Sequence, residues 1–218
     1  MKKTPRPNDV RAGRTIFMNT VNYDKRMQEE MKGAAGKKLL LHSCCAPCSS
    51  HCLTELSGTF RVTVLYYNPN LDSREEYERR KGEQIRFIRE TGQAELLDCD
   101  YSPEAFTQIA AGLEGEKEGG ARCKRCFELR LRRTAEEAKK GGYDYFATTL
   151  TVSPLKNAQL INEIGFALEK EYGVKYLPSD FKKRGGYLHS IELSRQYNLY
   201  RQDYCGCEYS KRGRDGLV

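Results

Sequence analysis

Between Lys37 and Pro178 the chain alternates short apolar runs of strand length with longer amphipathic stretches of helical period. This alternation restricts the fold more than any other feature, because strands separated by helices run parallel and share one sheet. KKLLLHS (Lys37–Ser43), RVTVLYY (Arg61–Tyr67), AELLDCD (Ala94–Asp100), DYFATTL (Asp144–Leu150) and VKYLP (Val174–Pro178) read as strands. Helices are expected after Pro47, in REEYERRKGEQIRFIRE behind the capping Ser73, in SPEAFTQIAAG, in CKRCFELRLRRTAEEAKKGG and in AQLINEIGFALEKEYG. The reading is an α/β fold, a parallel central sheet with helices on both faces. Functional groups in such sheets gather beyond the carboxyl ends of the strands. Cys44/Cys45, Asn68/Asn70, Asp98/Asp100 and Thr148/Thr149 fall there, which places a metal site on that rim.

Residues 1–37 lie outside this pattern and read as a basic, partly disordered N-terminal extension with a short helix near Asp24–Lys32. Residues 38–218 read as a single catalytic α/β domain. The formal charge is +7 and uneven: residues 1–38 carry ten Lys and Arg against four Asp and Glu, and residues 182–218 carry eight against four. Basic ends on a mildly acidic body suit a polyanionic partner, nucleic acid first among them. No run approaches the roughly 18 apolar residues of a membrane helix, and the basic N-terminus leads into no apolar export segment. A cytoplasmic protein is expected, with no membrane partner.

There are nine cysteines, and seven sit in tight groups: Cys44, Cys45 and Cys48; Cys123 and Cys126; Cys205 and Cys207. The odd number and the grouping argue against a disulfide framework and for metal or redox chemistry. Cys52 and Cys99 read as core residues, and His42, His51 and His189 as satisfied polar residues. Four thiolates suit an iron–sulfur cluster, and the remaining three suit a second, open iron. Two other arrangements use the same residue types: a closed zinc site from Cys123, Cys126, Cys205 and Cys207, and a thioredoxin-like pair in Cys45-Ala-Pro-Cys48. Cys123 and Cys126 open a helix whose dipole, with Arg122, Lys124 and Arg125, is expected to favour thiolates. Gly206 between two ligands lets the backbone bend around a metal.

The segments LLLHSCCAPCSSH, YYNPNLDSREEYERRK, CKRCFELRL, ATTLTVSPLKNAQLINEIG and DFKKRGGYLHSIELSRQYNLYRQDYCGC, in that order, resemble the QueH-type epoxyqueuosine reductases from about Lys38 to Glu208. The resemblance implies a cobalamin-independent enzyme of queuosine biosynthesis. It would reduce the epoxide of epoxyqueuosine at the tRNA wobble position, giving queuosine and water. It further implies a 4Fe-4S cluster beside an additional mononuclear iron, and a fold of the nucleotide-binding class that includes the PP-loop enzymes. Cys48 stands where some members carry Asp, which points to the second iron, and His189 stands where Arg is expected.

Electrons would come from an external donor, a ferredoxin or flavodoxin. For the unstacked wobble nucleotide, Tyr66, Tyr67, Tyr77, Arg80 and Lys182–Arg184 are candidate contacts. Asn68, Asn70, Ser153, Lys156 and Asn157 are candidates for the substrate's polar groups, with helix capping the other role open to Ser153 and Asn157. Two rival functions use much of the same pattern. A cluster-bearing tRNA sulfurtransferase would carry an SGGxDS phosphate loop where this chain has SCCAPCSS. A zinc-binding RNA module would hold zinc alone.

Overall fold

The structure, a computed structural model, describes residues 21–214. In chain order its elements are α1 (Tyr23–Met31), β1 (Lys38–His42), α2 (Ala46–Leu56), β2 (Arg61–Leu65), α3 (Arg74–Thr91), β3 (Glu95–Leu97), α4 (Pro103–Ala110) and α5 (Ala121–Lys140). They continue with β4 (Tyr145–Thr148), α6 (Ala158–Tyr172), β5 (Lys175–Tyr176), α7 (Gly186–Gln196) and α8 (Glu208–Arg214). The five strands form one sheet in the order β3-β2-β1-β4-β5, every neighbouring pair parallel.

The two-residue period of a strand explains the two layers. Leu39 and Leu41, with Val62, Val64, Tyr145 and Ala147, point to one face and pack with Cys52, Leu53, Leu56 and Phe87 of α2 and α3. Leu40, Leu65 and Phe146 point to the other, against Phe127, Leu131, Ala135 and Ala138 of α5 and Ile161, Ile164 and Leu168 of α6. Each strand is shorter than its apolar run, because the residues after it turn out of the sheet to build the rim. Ser73 caps α3 by accepting from the Glu76 N–H (3.2 Å), and Gly92 ends it in the left-handed conformation.

Residues 21–37, read from the sequence as part of the basic extension, dock on the body: Met27 and Ala34 are wholly buried, and Tyr145 donates to Glu30 (2.7 Å). The disorder expected of the extension falls on residues 1–20, outside the described residues. The sequence reading ended at the fifth strand, and α7 and α8 lie beyond it. Helix α7 packs on α2 through small residues, Gly186, Ser190 and Ser194.

Two glycines predict stability changes of opposite sign. A methyl group at Gly165 in α6 would overlap the ring of the buried Tyr176, whereas one at Gly82 in α3 meets nothing. Gly165→Ala is expected to cost about 1–3 kcal/mol through overpacking, and Gly82→Ala to gain about 0.5–1 kcal/mol from helix propensity. Urea midpoints of the two variants check both signs.

Candidate metal centre

The strand order reverses at β1: β2 and β3 lie on one side, β4 and β5 on the other. Crevices open beyond the carboxyl ends of strands at such a switch point, and the first cysteine group sits in this one. Cys44 follows β1 and meets the residue after β4, its N–H donating to Thr149 Oγ1 (3.4 Å) and its sulfur lying 3.6 Å from that oxygen. Helix α2 starts directly after Cys45, whose side chain caps nothing, so its positive end lies beside the sulfurs.

All nine cysteines are free thiols. The ligand atoms of Cys44, Cys45 and Cys48 lie within 4.8 Å of one another, the only such group among the described residues. Cys126 and Cys207 pack together in a small apolar cluster with Phe106 and Ala110. Cys123 accepts from the Gly119 N–H (3.2 Å). The sulfurs of Cys123, Cys126, Cys205 and Cys207 therefore face one region without forming a closed four-thiolate set. Gly206, at φ 114°, makes the turn between Cys205 and Cys207 in a conformation other residues rarely adopt, and its Cα lies against Leu71 and Arg80.

What joins the three groups is Arg130. It is 1 % exposed, one helical turn after Cys126, and donates through Nε to the Cys126 carbonyl (3.3 Å). Among the described residues it forms no ion pair with a carboxylate. Burial opposes its charge, and the sulfurs of Cys126, Cys205, Cys44 and Cys207 sustain it once they are ionised. Lys156 is half-buried; loss of water opposes its charge, and Cys205, Cys44 and Cys48 more than offset that. A buried cation needs an anion, and here the anions on offer are thiolates.

The thiols themselves are unequal. Cys44, hydrogen-bonded by Cys45 and Cys48, is held well below the usual thiol range. Cys45 and Cys48 are raised, first by that same contact with Cys44. Burial pushes Cys126 up to about 12 and Cys207 up to about 11. The thiolate expected from the α5 dipole thus fails for Cys126, because loss of water outweighs the helix terminus. A thiolate-held metal group fits this donor set: three sulfurs in reach of one another, two cations beside the cysteines and, among the described residues, no carboxylate paired to either.

Protons must leave these thiols when metal binds. Cys126 and Cys207 carry theirs throughout the neutral range, so uptake of ferrous iron by the metal-free protein is expected to strengthen as pH rises. The gain approaches tenfold per pH unit for each proton displaced. Iron retained through anaerobic gel filtration at pH 6.5 and pH 8.5 checks the sign.

A cavity of about 1010 Å³ opens over the centre, lined by Cys44, Cys48 and Cys205, by the cations Arg122, Arg130, Lys156 and Arg201, and by Ser153 and Tyr187. Of the sequence candidates, Ser153 and Lys156 reach it. Asn157 caps α6, accepting from the Leu160 N–H (3.1 Å). Asn68, Asn70, Tyr77 and Arg80 are 1–2 % exposed and lie outside the lining. Asn68 donates to the Ser43 carbonyl (2.8 Å) and Tyr77 to that of Cys99 (2.7 Å), so both brace the rim loops. Tyr66 and Tyr67 are buried, and Arg184 is paired with Asp24 and Glu55. Cys52 and Cys99 are core residues, as expected.

Sequence reasoning missed Arg130 and Gln202, which donates to Cys45 Sγ (2.9 Å). Arg130 was findable, since four residues after Cys126 on a helix is the same face.

Residues 39–213 match the family model described as "Epoxyqueuosine reductase QueH". The chain belongs to the QueH family. The QueH-family relatives "Epoxyqueuosine reductase QueH" of Streptococcus pyogenes serotype M1 and of Staphylococcus epidermidis are 43 % and 44 % identical over 201 and 208 residues. These alignments cover 88 % and 89 % of this chain, and 79 % and 87 % of the relatives. Among solved structures, the U34-tRNA thiolase NcsA from Methanococcus maripaludis with its [4Fe-4S] cluster aligns with 85 % of this QueH-family chain and 67 % of its own, at TM-score 0.49 and 12 % identity.

Proposed function

We propose that this QueH-family oxidoreductase is an epoxyqueuosine reductase, converting the epoxide of epoxyqueuosine in tRNA to the alkene of queuosine. The balance is two electrons and two protons consumed, both epoxide C–O bonds broken, one C=C bond formed and water released. The observation that carries the metal reading is the group of Cys44, Cys45 and Cys48, whose ligand atoms lie within 4.8 Å of one another beside a cavity that Cys205 also lines.

In this reading Cys44, Cys45, Cys48, Cys123, Cys126, Cys205 and Cys207 hold a 4Fe-4S cluster and an adjacent mononuclear iron. Bound there, the cluster supplies electrons singly and the further iron supplies Lewis acidity toward the epoxide oxygen. The chain's own residues do the rest. Arg130 and Lys156 offset the negative charge of the thiolates. Lys156, kept protonated by the sulfurs it faces, lines the cavity and stabilises the alkoxide as the ring opens, with an Nζ proton to give. Arg122 holds the loop before α5 by donating to the carbonyls of Leu113 (2.8 Å) and Glu114 (3.0 Å), which shapes one wall of the cavity. Arg201 and Tyr187, stacked 5.6 Å apart at the mouth, offer a plane to an unstacked base.

A ferredoxin or flavodoxin serves as electron donor. Among the described residues no helix is long and apolar enough to cross a membrane. The test is anaerobic turnover of tRNA carrying epoxyqueuosine, with chemically reduced enzyme and nucleoside analysis of the product. Queuosine formation without ATP is expected. Zinc as the sole metal after anaerobic reconstitution, or thiolation that needs ATP, would overturn the reading.

A further inference from the structure

Beneath the first cysteine group, three buried side chains carry donors with no partner among the described residues: Tyr66 Oη, Arg80 Nη2 and Gln84 Nε2. Their residues are 0 %, 2 % and 0 % exposed. Unpaired donors out of reach of water are costly, and native structures keep few of them. Their other atoms are fixed. Arg80 donates through Nε to Glu76 (2.6 Å) and through Nη1 to the Cys205 carbonyl (3.4 Å). Gln84 Oε1 accepts from Ser43 Oγ (2.7 Å) and Ser49 Oγ (2.9 Å), and Ser43 Oγ also donates to the Cys45 carbonyl (3.3 Å).

Their common neighbour is Cys45. Ionisation of its sulfur acts on both Tyr66 and Arg80, and Gln84 reaches its carbonyl through Ser43 Oγ. Cys45 is 1 % exposed and, unlike Cys44 and Cys48, does not line the cavity. Tyr66, Arg80 and Gln84 likewise lie outside the cavity lining. They touch no reacting atom, and a role in binding tRNA is closed to them.

We infer that Tyr66, Arg80 and Gln84 are positioning residues that donate hydrogen bonds to the sulfur at the Cys45 side of the bound iron–sulfur group and so set its reduction potential. Donors and a fixed cation beside an iron–sulfur group stabilise the form that has gained an electron, which raises the potential. The inference rests on the iron–sulfur reading of the centre proposed above.

The experiment uses the full chain, loaded anaerobically with iron and sulfide, as wild type, Tyr66→Phe and Gln84→Met. Tyr66→Phe removes one hydroxyl. Gln84→Met keeps the length and removes the Nε2 donor, and Ser43 and Ser49 retain the Cys45 and Ala46 carbonyls as acceptors. Both variants are expected to hold as much iron and sulfide as the wild type. At a fixed applied potential each is expected to show about a tenfold lower reduced-to-oxidised ratio in an EPR-monitored titration. That is a midpoint about 59 mV more negative for a one-electron couple. Should one variant fail to load, the other decides. A loaded variant with an unmoved midpoint overturns the inference while leaving the centre intact; a wild type that takes up no iron and sulfide removes both.

Discussion

Replacing Arg130 with methionine is expected to weaken the hold on iron by about 10²–10⁴-fold while leaving the metal-free protein at least as stable as the wild type. The two halves of this expectation have one cause. In the metal-free protein Cys44 is the thiol held as an anion, and burial keeps the protons on Cys126 and Cys207. Two cations, Arg130 and Lys156, then face too little negative charge, and methionine of similar length removes a buried charge that was poorly matched. Once metal displaces the protons, the same position faces several thiolates. Removing one partner from a buried set of charges costs about 3–5 kcal/mol, which is the stated loss of affinity. Thermal unfolding without metal and iron affinity by competition with a chelator check the two halves separately. Arg130→Lys, which keeps the charge, is expected to recover part of the affinity. Equal losses of stability and affinity in Arg130→Met would show a purely structural role.

Within the first cysteine group, Cys45→Ala is expected to lower turnover of epoxyqueuosine tRNA at least 10³-fold, about 4 kcal/mol. Cys52→Ala, two turns along α2, is expected to turn over normally. Both thiols are buried, at 1 % and 0 % exposure, so burial does not separate them. Cys45 lies in the group of sulfurs within 4.8 Å of one another, whereas Cys52 packs with Leu53 and Leu56 in the core and donates to the Cys48 carbonyl (3.3 Å). Its loss is expected to cost about 1 kcal/mol of stability, the worth of one small apolar group. Iron content and single-turnover rates measured on both variants check the contrast.

The sheet was legible because its strands sit under two layers of helix and so read as unbroken apolar runs. Leu39, Leu40 and Leu41 serve both faces in succession. The run lengths misled at the carboxyl ends, where Tyr66, Tyr67, Asp98 and Cys99 continue the pattern but belong to the rim. Helix α7 gave no such signal. Its buried positions are Gly186, Ser190 and Ser194, a stripe of small residues chosen for close approach to α2, so no apolar periodicity marks it.

At the site, cysteine grouping identified the metal-binding segments, since few other uses explain so many clustered thiols. Which polar residues face the cavity was not readable, because position after a strand does not say whether a side chain turns outward or under the loop. Asn68 and Tyr77 turned under it, where they hold backbone carbonyls, while Lys156 remained on the wall. The buried donors beneath Cys45 were hidden for a related reason: in a sequence, Arg80 and Gln84 look like the solvated face of a charged helix.

The cavity takes Cys44 from just after the first strand and Cys205 from near the end of the described chain. A chain emerging from the ribosome can complete its early strands long before that second sulfur exists outside the exit tunnel. Assembly of the full thiol set therefore waits until Cys205 is outside the tunnel, and a chain cut short before that residue would carry the first two cysteine groups without the third.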